Sequence, residues 1–222
     1  MESTRKQSKK AANQPSESMI RTAYRDHLLR TGSRPASVYK FCVDIGIREE
    51  EFYDFFGSFD GIEKQIWNGF IQKTISKLRA DESFGMFTAR EQILSFYFAL
   101  VEELRASRSY ILLQLAGIRQ SDIAPPFLKD FRTSFEKFIG EILSAGKEKG
   151  EISRRPWLDE RYPRLFWLHM VFILRFWRDD DSAGFEKTDA AIEKSVNLAF
   201  DLIGKGAVDT AFDFGKFLLQ NR

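Results

Sequence analysis

The sequence is poor in several things that would have announced a chemistry. Cys42 is its one cysteine, which excludes an internal disulfide, and with two histidines it falls short of an ordinary structural zinc site. No Gly-rich phosphate loop, nucleophile elbow or metal-ligand cluster is present, and the adjacent Glu102 and Glu103 point different ways on a helix, so nothing argues for an enzyme or a cofactor. An excess of charge of one sign is missing too. The 34 Lys and Arg nearly cancel the 32 Asp and Glu, leaving a formal +2, so any polyanion-binding face must come from how charge is distributed.

Long apolar runs are also lacking. The longest, "LFWLHMVFIL" from Leu165 to Leu174, is about half of the roughly 20 residues that a spanning helix needs, and it reads as a buried helix. The polar start "MESTRKQSKKAANQPSES" has no signal-peptide core, so the expected location is the cytoplasm. Alternating strand patterns bounded by hairpin turns do not occur. Apolar residues recur instead at helical spacing from end to end.

An all-α chain is therefore expected, and with 43% apolar residues it can bury a sizeable core. Residues 1–17 carry Arg5, Lys6, Lys9 and Lys10 and no apolar face, and read as a mobile basic arm. Three short helices follow: about Met19 to Arg30, a second opened by Pro35 and Ser37 and closed at Gly46, and a third from about Arg48 to Phe56. A long helix starts at Ser58 or Asp60 and runs to Arg79. Thr88 with Glu91 three residues on is a capping-box signature for a helix to Ala106. Further helices read as Tyr110 to Arg119, Pro126 to Lys149, Leu158 to Arg178, Phe185 to Lys205 and Ala207 to Gln220.

Three short helices with a tight turn between the last two, followed by a long connecting helix, form a helix-turn-helix unit. Ala23, Leu28 and Gly32, then "ASVYKF", then Gly46 and Ile47, then "FYDFFGSFDGI" resemble the DNA-binding domain of the TetR family of bacterial regulators from Met19 to Ile62. The resemblance implies a helix-turn-helix domain at 18–60 and a helical ligand-binding and dimerisation domain at 61–222. Its last two long helices, about 158–178 and 185–205, would pair in a homodimer. The duplex-DNA contacts it implies are Arg21, Arg25, Arg34, Ser37, Lys40, Arg48, Glu49 and Tyr53. Phe52, Phe55 and Phe56 are expected to lock the third helix in place.

The charge on this unit runs against that role. Arg21, Arg25, Arg30, Arg34, Lys40 and Arg48 are matched one for one by Asp26, Asp44, Glu49, Glu50, Glu51 and Asp54. Where the family carries small, hydroxyl or basic residues, the third helix opens on Glu49, Glu50 and Glu51. Asp54 takes the place of a residue that is often basic or His, and Phe59 that of the usual Lys. The plain explanation is that acids in a first turn offset the helix dipole, each by about 0.3–1 kcal/mol. Two readings stay open. One is a homodimeric regulator whose DNA binding is controlled by a hydrophobic or amphipathic small ligand. The other is a TetR-fold binding protein for a lipid or quinone-like molecule that has lost DNA binding, with the amphipathic segment 207–220 available to a membrane, the protein body or a partner subunit.

Aromatics crowd the second half. Phe96, Tyr97, Tyr110, Phe131, Phe135, Trp167 and Phe172, with His169 and Arg175, are the candidate lining of a ligand pocket, although most rings of this kind form a core. His169 and Arg175 lie about 120° apart around one helix and should face different surroundings. His169 suits a hydrogen-bonded interior position, and Arg175 an anionic head group, water or an acid. Asp179, Asp180 and Asp181 lack the spacing of a calcium loop and read as a solvated turn with capping groups.

Overall fold

The computed structural model describes residues 15–118, 123–204 and Phe217. Among them the chain is helical, with no strand, and it divides into two compact units that meet within one helix, after Glu63.

In the first unit α1 spans Glu17–Thr31, with the Ser16 hydroxyl accepting from the Met19 N–H at 3.3 Å to cap it. α2 spans Val38–Ile45, capped in the same way by Ser37, which accepts from the Lys40 N–H at 3.1 Å. Gly46 ends it at φ 76°, a left-handed conformation that glycine adopts without cost, and so reverses the chain into α3, Glu49–Tyr53. The long α4, Phe59–Arg79, follows. Ile20, Tyr24, Leu28, Phe41, Phe52, Phe56 and Ile62 form the buried core of this unit. Phe55 was expected in that core and is instead 37% exposed. Its place is taken by Phe59, which stacks on Tyr24 at 5.2 Å and meets Phe41 and Phe52 edge-on. The residue standing where the family carries Lys is thus a packing residue.

The second unit contains the rest of α4, then α5 (Ala89–Arg105), α6 (Arg108–Ala116), α7 (Lys129–Glu148), α8 (Pro156–Asp159), α9 (Tyr162–Asp179) and α10 (Glu186–Ile203). The capping box opening α5 is formed: Thr88 Oγ1 accepts from the Glu91 N–H, and Glu91 Oε2 accepts from the Thr88 N–H at 2.8 Å. The single helix expected over 158–178 is two, α8 and α9. Pro163 lacks the N–H that a helix interior needs and is tolerated in a first turn, so a new helix begins at Tyr162. α5, α7, α9 and α10 pack on one another. Close approach of α5 and α7 depends on Gly146, where a Cβ would lie 2.7 Å from that of Ala89.

α9 and α10 run antiparallel, as the pairs Phe166–Phe200 and Trp177–Phe185 require. Asp180 in the turn between them is buried, contrary to the solvated position expected. Its carboxylate accepts from the backbone and hydroxyl of both Ser182 and Thr188. Burial pulls the Asp180 pKa upward, and these four hydrogen bonds outweigh it, holding the group well below the usual carboxylate range. Arg108 closes the turn from α6, donating to the carbonyls of Trp177, Arg178 and Asp180 with its guanidinium 4.4 Å from the Phe185 ring. That contact accompanies the unusual φ of 67° at Phe185.

Candidate functional sites

The first candidate is the face of α2 and α3. Its basic residues are largely engaged inside the unit. Arg34 pairs with the buried Glu63 and with Asp60 at 2.8 Å, and Glu63 also accepts from the Tyr24 hydroxyl at 2.6 Å. Arg21 pairs with Glu17 at 3.2 Å, and Arg48 with Glu50 and Glu51 at 3.1 and 3.4 Å. Arg25 is half-buried; Lys40 is exposed, beside Tyr39 and Val43, which are 65% and 60% exposed and were not among the expected contacts. Ser37 spends its hydroxyl on the cap of α2.

Each of the three acids of α3 has a local partner. Glu51 accepts from the Arg48 backbone N–H at 2.8 Å, which, ahead of the nearby guanidinium, holds its carboxyl below the ordinary value. Glu49 accepts from the Tyr53 hydroxyl at 3.2 Å, and Glu50 from Arg48. All three lie in the first turn, where carboxylates complement the helix dipole. Glu50, Asp54 and Tyr53 nevertheless remain exposed to anything approaching this face.

The second candidate is the helical unit. Phe96, Tyr97, Tyr110, Phe131, Phe135 and Trp167 are all buried, and the rings of all but Tyr110 are seen to meet within the set, with Phe135 5.8 Å from Phe96 and 5.9 Å from Trp167. Here these six form packed core. Arg175 lines a crevice of about 20 Å³ with Arg178, Leu115, Leu128, Val171 and Leu174. His169 faces elsewhere, into an apolar groove of about 250 Å³ between α9 and α10. Its Nδ1 lies 2.7 Å from the Tyr97 hydroxyl and its Nε2 2.7 Å from the Ser195 hydroxyl, and the Ser195 proton is directed to the Ala191 carbonyl. Nε2 must then carry the hydrogen and donate to Ser195, while Tyr97 donates to Nδ1. Burial depresses the His169 pKa to about 4 and pushes the Tyr97 phenol well up.

The third candidate is the outward side of α9 and α10. Phe172, placed by the sequence among pocket residues, is 46% exposed there, with Leu165, Leu168, Leu198 and Leu202 exposed by 46–60%. Leu165, Leu168 and Phe172 recur at intervals of three and four, so the apolar run of α9 has two apolar sides: one in the core, one open to water. Among the described residues no helix is long and apolar enough to cross a membrane.

Residues 92–218, more than half of the chain, match the family described as tetracyclin repressor-like, C-terminal domain. The chain belongs to the TetR family. Among solved structures, the TetR-family regulator of Syntrophomonas wolfei str. Goettingen is 16% identical, with a TM-score of 0.67 over 86% of this chain and 97% of that one. A second TetR-family regulator, from Shewanella sp. PV-4, is 15% identical, with a TM-score of 0.57 over 83% of this chain and 95% of that one. The ketosteroid transcriptional regulator of Mycobacterium tuberculosis is 16% identical, with a TM-score of 0.50 over 87% and 97%. At such identities these likenesses establish the TetR regulator fold alone. No curated protein matches the chain.

Proposed function

We propose that the protein is a homodimeric transcriptional regulator, paired through α9 and α10, whose hold on duplex DNA responds to a hydrophobic or amphipathic small molecule in the helical unit. The observation that carries this reading is the exposed apolar side of α9 and α10, in a TetR-family chain that also keeps a packed helix-turn-helix. Two antiparallel helices with large apolar residues open to water are the raw material of a four-helix interface. A ligand that prefers one spacing of the two heads shifts the dimer toward it and so changes DNA affinity.

The acids of α3 fit this reading as parts of the fold: a cap, a partner for Tyr53 and a complement to the helix dipole. They leave little net attraction for phosphates, so binding would rest on Lys40 and the basic arm at 1–17. Residues 1–14 of that arm lie outside the described residues, and Glu17 already opens α1.

One observation favours the second reading, a TetR-fold carrier of a lipid-like molecule with no operator: Arg34 and Arg48 are held in ion pairs while Glu50 and Asp54 are exposed. Selection from random duplexes across a salt series, combined with sedimentation, separates the two. The regulator reading expects enrichment of one sequence at low salt by a species of twice the chain mass. Absence of enrichment at low salt sinks it, and lipid extracted with the purified protein would replace it.

A further inference from the structure

The proposed pairing takes up the apolar side of α9 and α10, and the helix expected over 207–220 lies outside the described residues apart from Phe217. A second set of large side chains is open to water on α2 and α3, within the first unit. Tyr39 and Val43 stand one turn apart on the same side of α2 and are largely exposed, and Tyr53 on α3 is half exposed. Phe41 and Cys42 between them turn inward and hold α2 to the core, so Tyr39 and Val43 are left facing out.

These side chains border one another. α2 and α3 are joined by the reversal at Gly46 and pack together, and Cys42, about 60° from Tyr39 around α2, lies where they meet. Burial raises the Cys42 thiol pKa, and the Glu49 carboxylate of α3 is close enough to raise it further. Tyr53 donates to that same Glu49 at 3.2 Å, so it stands beside the exposed side of α2. The surrounding charge is one-sided. Between Ser37 and Phe56 five acids, Asp44, Glu49, Glu50, Glu51 and Asp54, stand against Lys40 and Arg48. Arg48 is committed to Glu50 and Glu51. Asp44 and Asp54 are exposed and form no ion pair among the described residues. A polyanion is repelled by such a surface, and an uncharged apolar partner would leave its carboxylates without a counterpart.

We propose that this face of α2 and α3 docks a basic amphipathic segment of another protein. Aliphatic or aromatic side chains of the partner, at helical spacing, lie on Tyr39, Val43 and Tyr53, and its flanking Lys or Arg residues meet Asp44, Glu50 and Asp54. The tyrosine rings add faces on which those cations rest. The surface is small, so the complex is transient, and its electrostatic part weakens as salt rises. The docking itself does not depend on operator binding. If the regulator reading holds, the partner occupies the helices that a duplex would approach, and protein and DNA exclude each other.

The test is selection of a random peptide library, displayed on phage, against the full chain at low salt and without DNA. The enriched peptides are expected to be net positive, with apolar residues at intervals of three and four. A synthetic copy of the most enriched peptide should bind about tenfold more weakly to Val43→Ser, to Tyr39→Ser and to a Glu50→Gln, Asp54→Asn double variant. All four positions are exposed, and hydrogen exchange over residues 17–63 should show each variant folded as the wild type is. The double variant separates the two ligands, since it weakens the peptide and strengthens arbitrary duplex DNA. No enrichment, enrichment of neutral or acidic peptides, or affinities that none of these substitutions moves, each overturn the proposal. So does peptide binding seen only when Arg5, Lys6, Lys9 and Lys10 are changed to Gln in the full chain, which would make the chain's own basic arm the occupant. Peptide binding of the expected kind with no duplex enriched defeats the regulator reading and leaves the docking surface standing. Duplex enrichment without peptide binding does the reverse.

Discussion

Arg34 grips the buried Glu63 with two prongs, Nε donating to one carboxylate oxygen and Nη2 to the other. Tyr24 of α1 donates to the same carboxylate, so the group ties α1, the loop before α2 and the start of α4 together. A carboxylate that is 1% exposed is tolerable only while these donors stay in place. Arg34→Ala should therefore destabilise the helix-turn-helix unit by about 2 kcal/mol, below the value for a fully buried pair because the guanidinium is half in solvent. Hydrogen exchange of amides in residues 17–63 reads this directly. Loss of DNA binding with unchanged protection would instead assign Arg34 to contact with a ligand.

The acids of α3 make a separate and opposite prediction. Glu50 and Asp54 are exposed and work against phosphates. Glu50→Gln and Asp54→Asn should each raise affinity for arbitrary duplex DNA, by up to about fivefold at low salt, on the scale of 1 kcal/mol for two charges 4 Å apart in water. Lys40→Ala should lower it and reduce the log–log salt slope by about 1 if Lys40 meets a phosphate. Titration by fluorescence anisotropy over a salt series checks both signs. No response to any of the three would remove this face from DNA contact.

In the proposed dimer the contact would centre on Leu168 and Phe172, exposed side chains in the middle of the α9 stripe. Leu168→Asp and Phe172→Asp should each weaken self-association at least about 100-fold, because a carboxylate would be buried without a partner in the interface. Neither should lower the stability of the dissociated chain, since both positions face away from its core. Sedimentation velocity over a concentration series measures the first effect, and denaturant unfolding of the dilute chain the second.

Much of the fold was legible because its signals are local. Ser37 before α2, Gly46 after it, and Thr88 with Glu91 at α5 act within a turn of themselves, and each forms the cap its pattern implies. Pro163 carried the signal that divides 158–178, a proline being admissible only in a first turn, and the apolar run around it masked that signal. The site was less legible because it depends on which side of a helix meets which neighbour. Periodicity collected the rings of α5, α7 and α9 correctly, yet could not distinguish a filled core from a cavity. It likewise grouped Phe172 with Trp167 in a pocket, whereas Phe172 looks outward and Trp167 looks in. The charges of α3 were visible, but their hydrogen bonds to Tyr53 and to the Arg48 N–H depend on side-chain geometry that composition does not carry.

Gly146 tests the packing between α5 and α7. A methyl group there would meet the Ala89 Cβ at 2.7 Å and Ile152 Cδ1 at 3.0 Å. Ile152 can shift by rotation, whereas Ala89 is fixed to its helix, so the two helices must separate. Gly146→Ala should cost about 1–3 kcal/mol despite its better helix propensity. Thermal unfolding measures it. An increase in stability would show that the helices have slack at this crossing.

His169 gives the helical unit a pH dependence whose sign follows from its hydrogen bonds. The neutral ring donates from Nε2 to Ser195 and accepts from Tyr97 at Nδ1. Protonating Nδ1 would make the Tyr97 hydroxyl give up this bond and turn its hydrogen to the Phe166 carbonyl 3.4 Å away, in a site where burial penalises the charge. The folded pKa of about 4 lies below the ordinary 6.5. The unfolded chain therefore binds the proton more readily, so the contribution of His169 to stability is complete above pH 6.5 and is lost as pH falls toward 4. Between pH 7 and pH 5 the loss should be about 2 kcal/mol. His169→Gln, which does not titrate, should be less stable at pH 7 and show a shallower decline over that interval. Denaturant unfolding at the two pH values compares the slopes. Equal slopes for the two proteins would mean that His169 titrates in the folded state much as it does in water.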